Sequence, residues 1–206
     1  MKNRKAMYAL SYGLFVLTTK DGGKDNGCII NTGMQVTTEP NRIVFTVNKS
    51  NHTHDMLMNG KTFTLSVISE DADFSLFQHF GFQSGRDVDK FAGYGDAVRG
   101  DNGIMGVTKG INAWISGQVI STTDLGTHTL FLADVTDGDV VSDAPSATYA
   151  YYQSNIKPKP EATAAPSAKK RWVCKVCGYV YEGDELPADF VCPLCKHPAS
   201  DFELME

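Results

Sequence analysis

No stretch of eighteen apolar residues occurs in this 206-residue sequence, so nothing in it reads as a transmembrane helix. A secretory leader is not supported either. Lys2, Arg4 and Lys5 do precede an apolar stretch from Ala6 to Leu17, but Tyr8, Ser11, Tyr12 and Gly13 interrupt it and no small-x-small cleavage pattern follows. A short amphipathic helix leading into a strand is expected there, in a cytoplasmic protein with no membrane partner. An excess of basic residues is also missing: 19 Lys and Arg stand against 24 Asp and Glu, a net charge of −5. That balance gives no general reason to bind phosphate backbones, so nucleic acid is not expected as a partner. With 8 Pro, 19 Gly, 42% hydrophobic and 21% charged residues, the chain is neither collagen-like nor disordered but globular. Three nucleotide and hydrolase motifs are lacking as well. No GxGxxG follows a strand, no GxxxxGK[ST] appears and no GxSxG is present, which withdraws support from dinucleotide-binding, P-loop and serine-hydrolase folds.

Cysteine is nearly absent from the first 170 residues, where Cys28 stands alone, and concentrated at the end. Cys174, Cys177, Cys192 and Cys195 form two CxxC pairs separated by 14 residues. A disulfide framework would scatter its cysteines; this spacing is that of a four-thiolate metal site, each CxxC turning as a knuckle that aims two sulfurs at one point. Tetrahedral thiolates suit zinc and iron alike, so the ligands leave the metal open.

Upstream, residues 156–170 hold three Pro, four Ala and four Lys against one Glu, too little apolar surface to fold. This is a tether between a domain at 1–155 and another at 171–206. Fifteen flexible residues span roughly 20–23 Å on average, and about 46 Å when stiffened by proline.

Strand patterns dominate residues 1–155. Leu14–Thr18, Arg42–Val47, Thr62–Ser69, Ile111–Thr122 and Thr127–Val135 are rich in Val, Ile, Phe and Thr with turn residues between them. Helical patterns are short, Thr53–Asn59 before Gly60 and Ala72–Phe80 before Gly81. The chain is therefore expected to be mainly β, its larger part a barrel. One segment carries chemistry. Asn48-Lys-Ser-Asn-His-Thr53 closes a strand and opens a helix, where free N–H groups, hydroxyls and the Lys49 charge could seat a phosphate; ordinary N-capping accounts for the Ser and Thr equally well. His52 and His54 lack a spaced third ligand and read as a polar helix entry. Cys28 reads as a small apolar side chain on a strand.

Two resemblances extend this reading. Trp172-Val-Cys-Lys-Val-Cys-Gly-Tyr-Val-Tyr181, then Leu186-Pro-Ala-Asp-Phe-Val-Cys-Pro-Leu-Cys195 and Phe202, resembles rubredoxin. The resemblance implies one iron held by Cys174, Cys177, Cys192 and Cys195, with zinc as the alternative, inside an aromatic shell of Trp172, Tyr179, Phe190 and Phe202. The stretch between the knuckles is shorter than in free-standing rubredoxins, Lys196 stands where that family has Gly, and Ala199 replaces a later lysine. Asn26-Gly-Cys-Ile-Ile-Asn-Thr-Gly-Met-Gln-Val-Thr-Thr-Glu-Pro40, Val47–Thr53, Thr62-Phe-Thr-Leu-Ser-Val67, Asp87-Val-Asp-Lys-Phe91 and Leu125-Gly-Thr-His-Thr-Leu-Phe131 resemble, in that order, the flavin reductase family. This implies a split β-barrel that binds FMN, less often FAD, and forms a homodimer. Carried over by position, Asn31, Thr32 and Gly33 would lie along the ring and ribityl chain, and Asn48, Lys49, Ser50, Asn51 and Thr53 would hold the phosphate. Lys90 and Phe91 would line the flavin pocket of their own or of the other subunit. His128 would be the catalytic residue near the nicotinamide, with Thr127 in place of the family's aspartate; an exposed strand histidine is the alternative.

The whole arrangement resembles the high-molecular-weight rubredoxins, a flavin reductase-like domain fused to a C-terminal rubredoxin. It implies an oxidoreductase passing electrons from NAD(P)H through FMN to the iron and on to a flavodiiron protein that reduces oxygen or nitric oxide. Two other classes stay open: a flavin reductase supplying reduced flavin to a monooxygenase, and a zinc-ribbon binding protein with a structural barrel.

Overall fold

A computed structural model of the chain describes residues 4–158, 170–176, 178–193 and 197–205. They form two compact units, which divide after Ile156. Residues 159–169 of the tether expected at 156–170 lie outside the described residues, as do Cys177 and Cys195.

The first unit is built on one antiparallel sheet of seven strands: β1 (Phe15–Asp21), β2 (Lys24–Ile30), β3 (Gly33–Thr38), β4 (Asn41–Asn48), β5 (Thr62–Ile68) and two long strands joined by a turn. Between β5 and those long strands lies a short hairpin of β6 (Ala97–Arg99) and β7 (Met105–Val107); the long strands are β8 (Ile111–Asp124) and β9 (His128–Val140). The order across the sheet is β2-β1-β5-β8-β9-β4-β3. Period-2 alternation turns Ile43, Phe45 and Val47 of β4 inward, and the same holds for Phe63 and Leu65 of β5 and Phe131 and Ala133 of β9. Cys28 and Ile30, near one end of the strand order, share that core with Ile43 and Phe45 near the other end. A flat sheet could not bring them together, so the sheet curls into a barrel around its own side chains. Gly117 makes room for this closure: a Cβ there would strike the Phe63 ring and the Asp134 carbonyl.

Strand β1 is buried on both faces because a second apolar layer covers its outside. Helix α2 (Phe74–Gly81) lays Leu76, Phe77 and Phe80 against Leu14, Val16, Ile68 and Val107. Helix α1 (His52–Gly60) follows β4 and ends at Lys61 in the left-handed region, with φ 60°. The seven elements read from periodicity are all present. Strands β3, β6 and β7 are additional, as is β2 beyond the strand position expected for Cys28: Lys24, Asp25, Asn26 and Gly27 have low strand propensity, and β2 is held in register by the two-residue turn Gly22-Gly23, both at positive φ.

The second unit carries a three-stranded sheet in the order β11-β10-β12, formed by β10 (Lys170–Cys174), β11 (Val180–Gly183) and β12 (Phe202–Met205).

Candidate functional site

The junction of β4 and α1 is a tightly tied turn. Asn48 Oδ1 accepts from both the Ser50 amide and the Ser50 hydroxyl at 2.9 Å, and the Asn51 amide donates to the Asn48 carbonyl at 3.0 Å. The Lys49 amide donates to the Thr127 carbonyl at 3.0 Å, which pins the turn to the loop between β8 and β9. Lys49 Nζ reaches Asp124 at 2.6 Å, and this lysine holds the Asp124 carboxyl below the usual carboxylate range. Asn51 occupies the N-cap of α1 without a side-chain capping bond. Arg86, brought from 36 residues away, donates to the Ser50 carbonyl at 2.8 Å and to Asp55 at 2.7 Å. Two cations thus flank the N-terminus of a nine-residue helix, an arrangement suited to an anion. Sequence reasoning missed Arg86, although it directly precedes the Asp87–Phe91 motif.

Beside this seat lies an open face of the sheet. Inward Ile43, Phe45 and Val47 leave Val44, Thr46 and Asn48 of β4 pointing outward, and register sets Thr46 opposite Leu130 and Asn48 opposite His128. On the other side, the Thr32 and Thr46 hydroxyls lie 2.6 Å apart and the Thr46 amide donates to the Thr32 carbonyl at 3.3 Å. Asn31 and Thr32 connect β2 to β3, and Gly33 sits where a Cβ would press on the Phe15 ring at 3.0 Å. His128 is half-buried and its Nδ1 lies 2.9 Å from the Thr127 hydroxyl. Thr32, Thr46, Asn48 and His128 therefore share one face over three neighbouring strands, an area of roughly 10 by 7 Å that a fused three-ring system would cover.

Three sequence candidates lie behind this face. The Thr53 hydroxyl, buried, is 3.1 Å from Asn26 Nδ2. Lys90 is 3% exposed and its ammonium donates to the Gly27 and Phe80 carbonyls at 2.8 and 2.9 Å. Burial brings its pKa down from 10.5 to about 8. Phe91 packs on Phe80 with ring centroids 5.6 Å apart. Within one chain these residues brace β2, α1 and α2 against one another rather than opening toward a ligand. Cys28, at the edge of the apolar core, lies near them; burial raises its thiol pKa, opposed by Thr53 and Lys90. A separate cavity of about 490 Å³ under the β6–β7 hairpin, walled by Ile104, Val107 and Trp114, includes none of the sequence candidates.

In the second unit, Cys174 and Cys192 are buried. Each is tied into a turn: the Gly178 amide donates to the Cys174 carbonyl and the Cys192 amide to the His197 carbonyl, both at 2.8 Å. Gly178 takes φ 76°, which lets its backbone close the first knuckle. Phe190 lies 5.3 Å from Phe202 and 6.4 Å from Tyr179, an aromatic cluster within the same unit. Two buried thiols held in turns suit a thiolate-bound metal such as iron.

Residues 7–159 match the family profile described as flavin reductase like domain, and residues 172–203 match rubrerythrin, rubredoxin-like domain. Among curated proteins, the high molecular weight rubredoxin of Moorella thermoacetica is 33% identical over 225 residues, covering 97% of this chain and 98% of that one. The ferric-chelate reductase (NAD(P)H) of Archaeoglobus fulgidus is 35% identical over 160 residues, 78% of this chain and 94% of its own. Among solved structures, the NADH:FAD oxidoreductase of Streptomyces globisporus superposes with a TM-score of 0.64 at 23% identity, over 70% of this chain and 85% of that one. That last likeness shows the fold of the barrel.

Proposed function

The chain belongs to the flavin reductase-like family and carries a rubredoxin-like domain behind it, so it is a flavin-dependent electron-transfer oxidoreductase, and we propose that NAD(P)H supplies its electrons, FMN and one iron relay them, and a flavodiiron protein receives them. The observation that carries this is the joining of the two units in one chain, the first for hydride chemistry and the second for single electrons. When bound, a flavin accepts a hydride and releases its electrons singly. The protein's own residues then have distinct tasks. Lys49, Ser50, Asn51 and Arg86 receive the phosphate at the start of α1, with Asn48 shaping the turn. Asn31, Thr32, Gly33 and Thr46 border the ring face, and His128 stands beside it where a hydride donor would approach. Thr53, Lys90 and Phe91 hold the seat from behind. Cys174, Cys177, Cys192 and Cys195 hold the iron.

The domains 1–155 and 171–206 work as separate bodies on the 156–170 tether, which supplies the acceptor at an effective concentration in the millimolar range. Two chains pair through their barrels: Met34, Val36 and Val140 are exposed apolar side chains that a partner would cover. Among the described residues no helix is long and apolar enough to cross a membrane, and a site that needs four reduced cysteines suits the cytoplasm.

Reconstitution with FMN and iron, oxidation of the iron to the ferric state in air, and then anaerobic addition of NADH or NADPH test this reading. The expected result is a visible iron–thiolate band that bleaches after the flavin band. A zinc-only protein, or an iron band that persists while flavin is reduced, would overturn it. The match to the ferric-chelate reductase favours a second activity, direct reduction of a ferric chelate by the barrel. Ferric citrate reduction that survives Cys174→Ser would support it.

A further inference from the structure

Four side chains from three separate segments form a continuous line at the anion seat. Thr129 Oγ1 on β9 lies 2.9 Å from His54 Nε2. His54 Nδ1 lies 3.0 Å from Asp55 Oδ1, and Asp55 Oδ2 accepts from Arg86 at 2.7 Å. The other arm of Arg86 donates to the Ser50 carbonyl. His54 is 8% exposed and presents its ring edge-on to Phe131, centroids 5.9 Å apart. A buried imidazole with both nitrogens engaged cannot turn without breaking a contact. Asp55 is thereby fixed through one oxygen and offers the other to Arg86. The His54 ring, and then Arg86, keep the Asp55 carboxyl below the usual range, so it stays a carboxylate at neutral pH.

We infer that His54 is a positioning residue for the anion seat: it fixes Asp55, and through it the Arg86 guanidinium, over the start of α1, and so sets the preference for a phosphorylated flavin. This rests on reading the β4–α1 junction as the phosphate seat. The physical gain is preorganisation. A guanidinium has five N–H donors, and the bonds to Ser50 and Asp55 take up two, leaving three for a ligand. An unbraced arginine would have to give up its rotamer freedom on binding; a braced one has already done so. Histidine's two nitrogens allow the brace to be separated from plain packing. An asparagine amide reaches the place of Nδ1 and can keep Asp55. A glutamine amide reaches the place of Nε2 and keeps Thr129 instead.

The experiment compares dissociation constants of FMN and riboflavin for the full chain by flavin fluorescence quenching, in His54→Asn, His54→Gln, Arg86→Ala and the His54→Gln/Arg86→Ala double variant. Arg86→Ala is expected to weaken FMN relative to riboflavin by at least about tenfold. His54→Gln should cost about three- to tenfold in the same ratio, the coupling seen within a shared hydrogen-bond network, and His54→Asn should restore most of it. In the Arg86→Ala background His54→Gln should have no further effect. Riboflavin affinity serves as the internal measure of folding, and His54→Ala replaces the glutamine variant should that fail to fold. Equal loss of both flavins, equal loss in the Asn and Gln variants, or an undiminished Gln effect without Arg86 would overturn the positioning role. If Arg86→Ala itself leaves the ratio unchanged, the phosphate-seat reading fails first, and the inference with it.

Discussion

Lys90 offers a quantitative test of how the barrel is braced. Its ammonium is 3% exposed and donates to the backbone carbonyls of Gly27 and Phe80. Its pKa falls from 10.5 to about 8, chiefly through desolvation. A drop of that size corresponds to about 3 kcal/mol of unfavourable burial, present in full while both folded and unfolded states are protonated. The sign follows from proton counts. Below pH 8 the two states bind the same proton and stability does not change. Between pH 8 and 10.5 the unfolded state keeps a proton the folded state has lost, so the lysine's contribution to stability rises with pH. From pH 7 to 9.5 the gain is about 2 kcal/mol. Cys28 titrates nearby in the opposite sense, its raised pKa costing stability at high pH, so the comparison is made in a Cys28→Ala chain. Urea unfolding of Cys28→Ala with and without Lys90→Met, followed by Trp114 fluorescence, gives the difference directly. Methionine relieves the charge burial but leaves two carbonyls unbonded, each costing about 1–3 kcal/mol. The two effects nearly cancel at pH 7. At pH 9.5 the lysine chain should lead by about 2 kcal/mol more than at pH 7. A difference that stays constant or shrinks with pH would refute the desolvation argument.

Other consequences are open to direct measurement. Gly85→Ala would drive a Cβ into the Asn26 side chain, so it should destabilise the barrel by about 1–3 kcal/mol and weaken FMN binding by displacing Arg86. Unfolding midpoints and FMN titration check both effects. Lys49→Ala should weaken FMN at least about fivefold while leaving riboflavin unchanged, and equal loss of both ligands would remove Lys49 from the phosphate. Cys174→Ser should abolish the iron absorption and leave flavin content intact, whereas loss of flavin along with iron would show that the units do not fold independently. Separated 1–155 and 171–206 at micromolar concentration should transfer electrons more slowly than the intact chain and recover as the iron domain is titrated upward. Equal stopped-flow rates with and without the tether would exclude the intramolecular route.

Much of this was written in local patterns. The two CxxC pairs read as a thiolate site because metal spacing is a property of adjacent residues. The Pro- and Ala-rich composition of residues 156–170 sets the expected seam, and the two units divide after Ile156. Val, Ile and Phe alternation located β4, β5, β8 and β9, and the Ser-Asn-His-Thr run marked the start of α1. Beyond the strand position read for Cys28, β2 was not legible as a strand and β3 not at all, since Lys24, Asp25, Asn26 and Gly27 gain their strand geometry from pairing with β1 and not from propensity. The closing of the sheet decided the rest. Only register places His128 opposite Asn48, and only the fold carries Arg86 to Ser50 and Thr129 to His54. Closure also turned Thr53 and Lys90 away from the open face, because strand and helix periodicity say which residues share a side but not which side another element will cover. Side-chain chemistry is written locally in this chain. The meeting of a cation, a helix start and a histidine is a long-range event, and burial around β2 and α1 is what determined it.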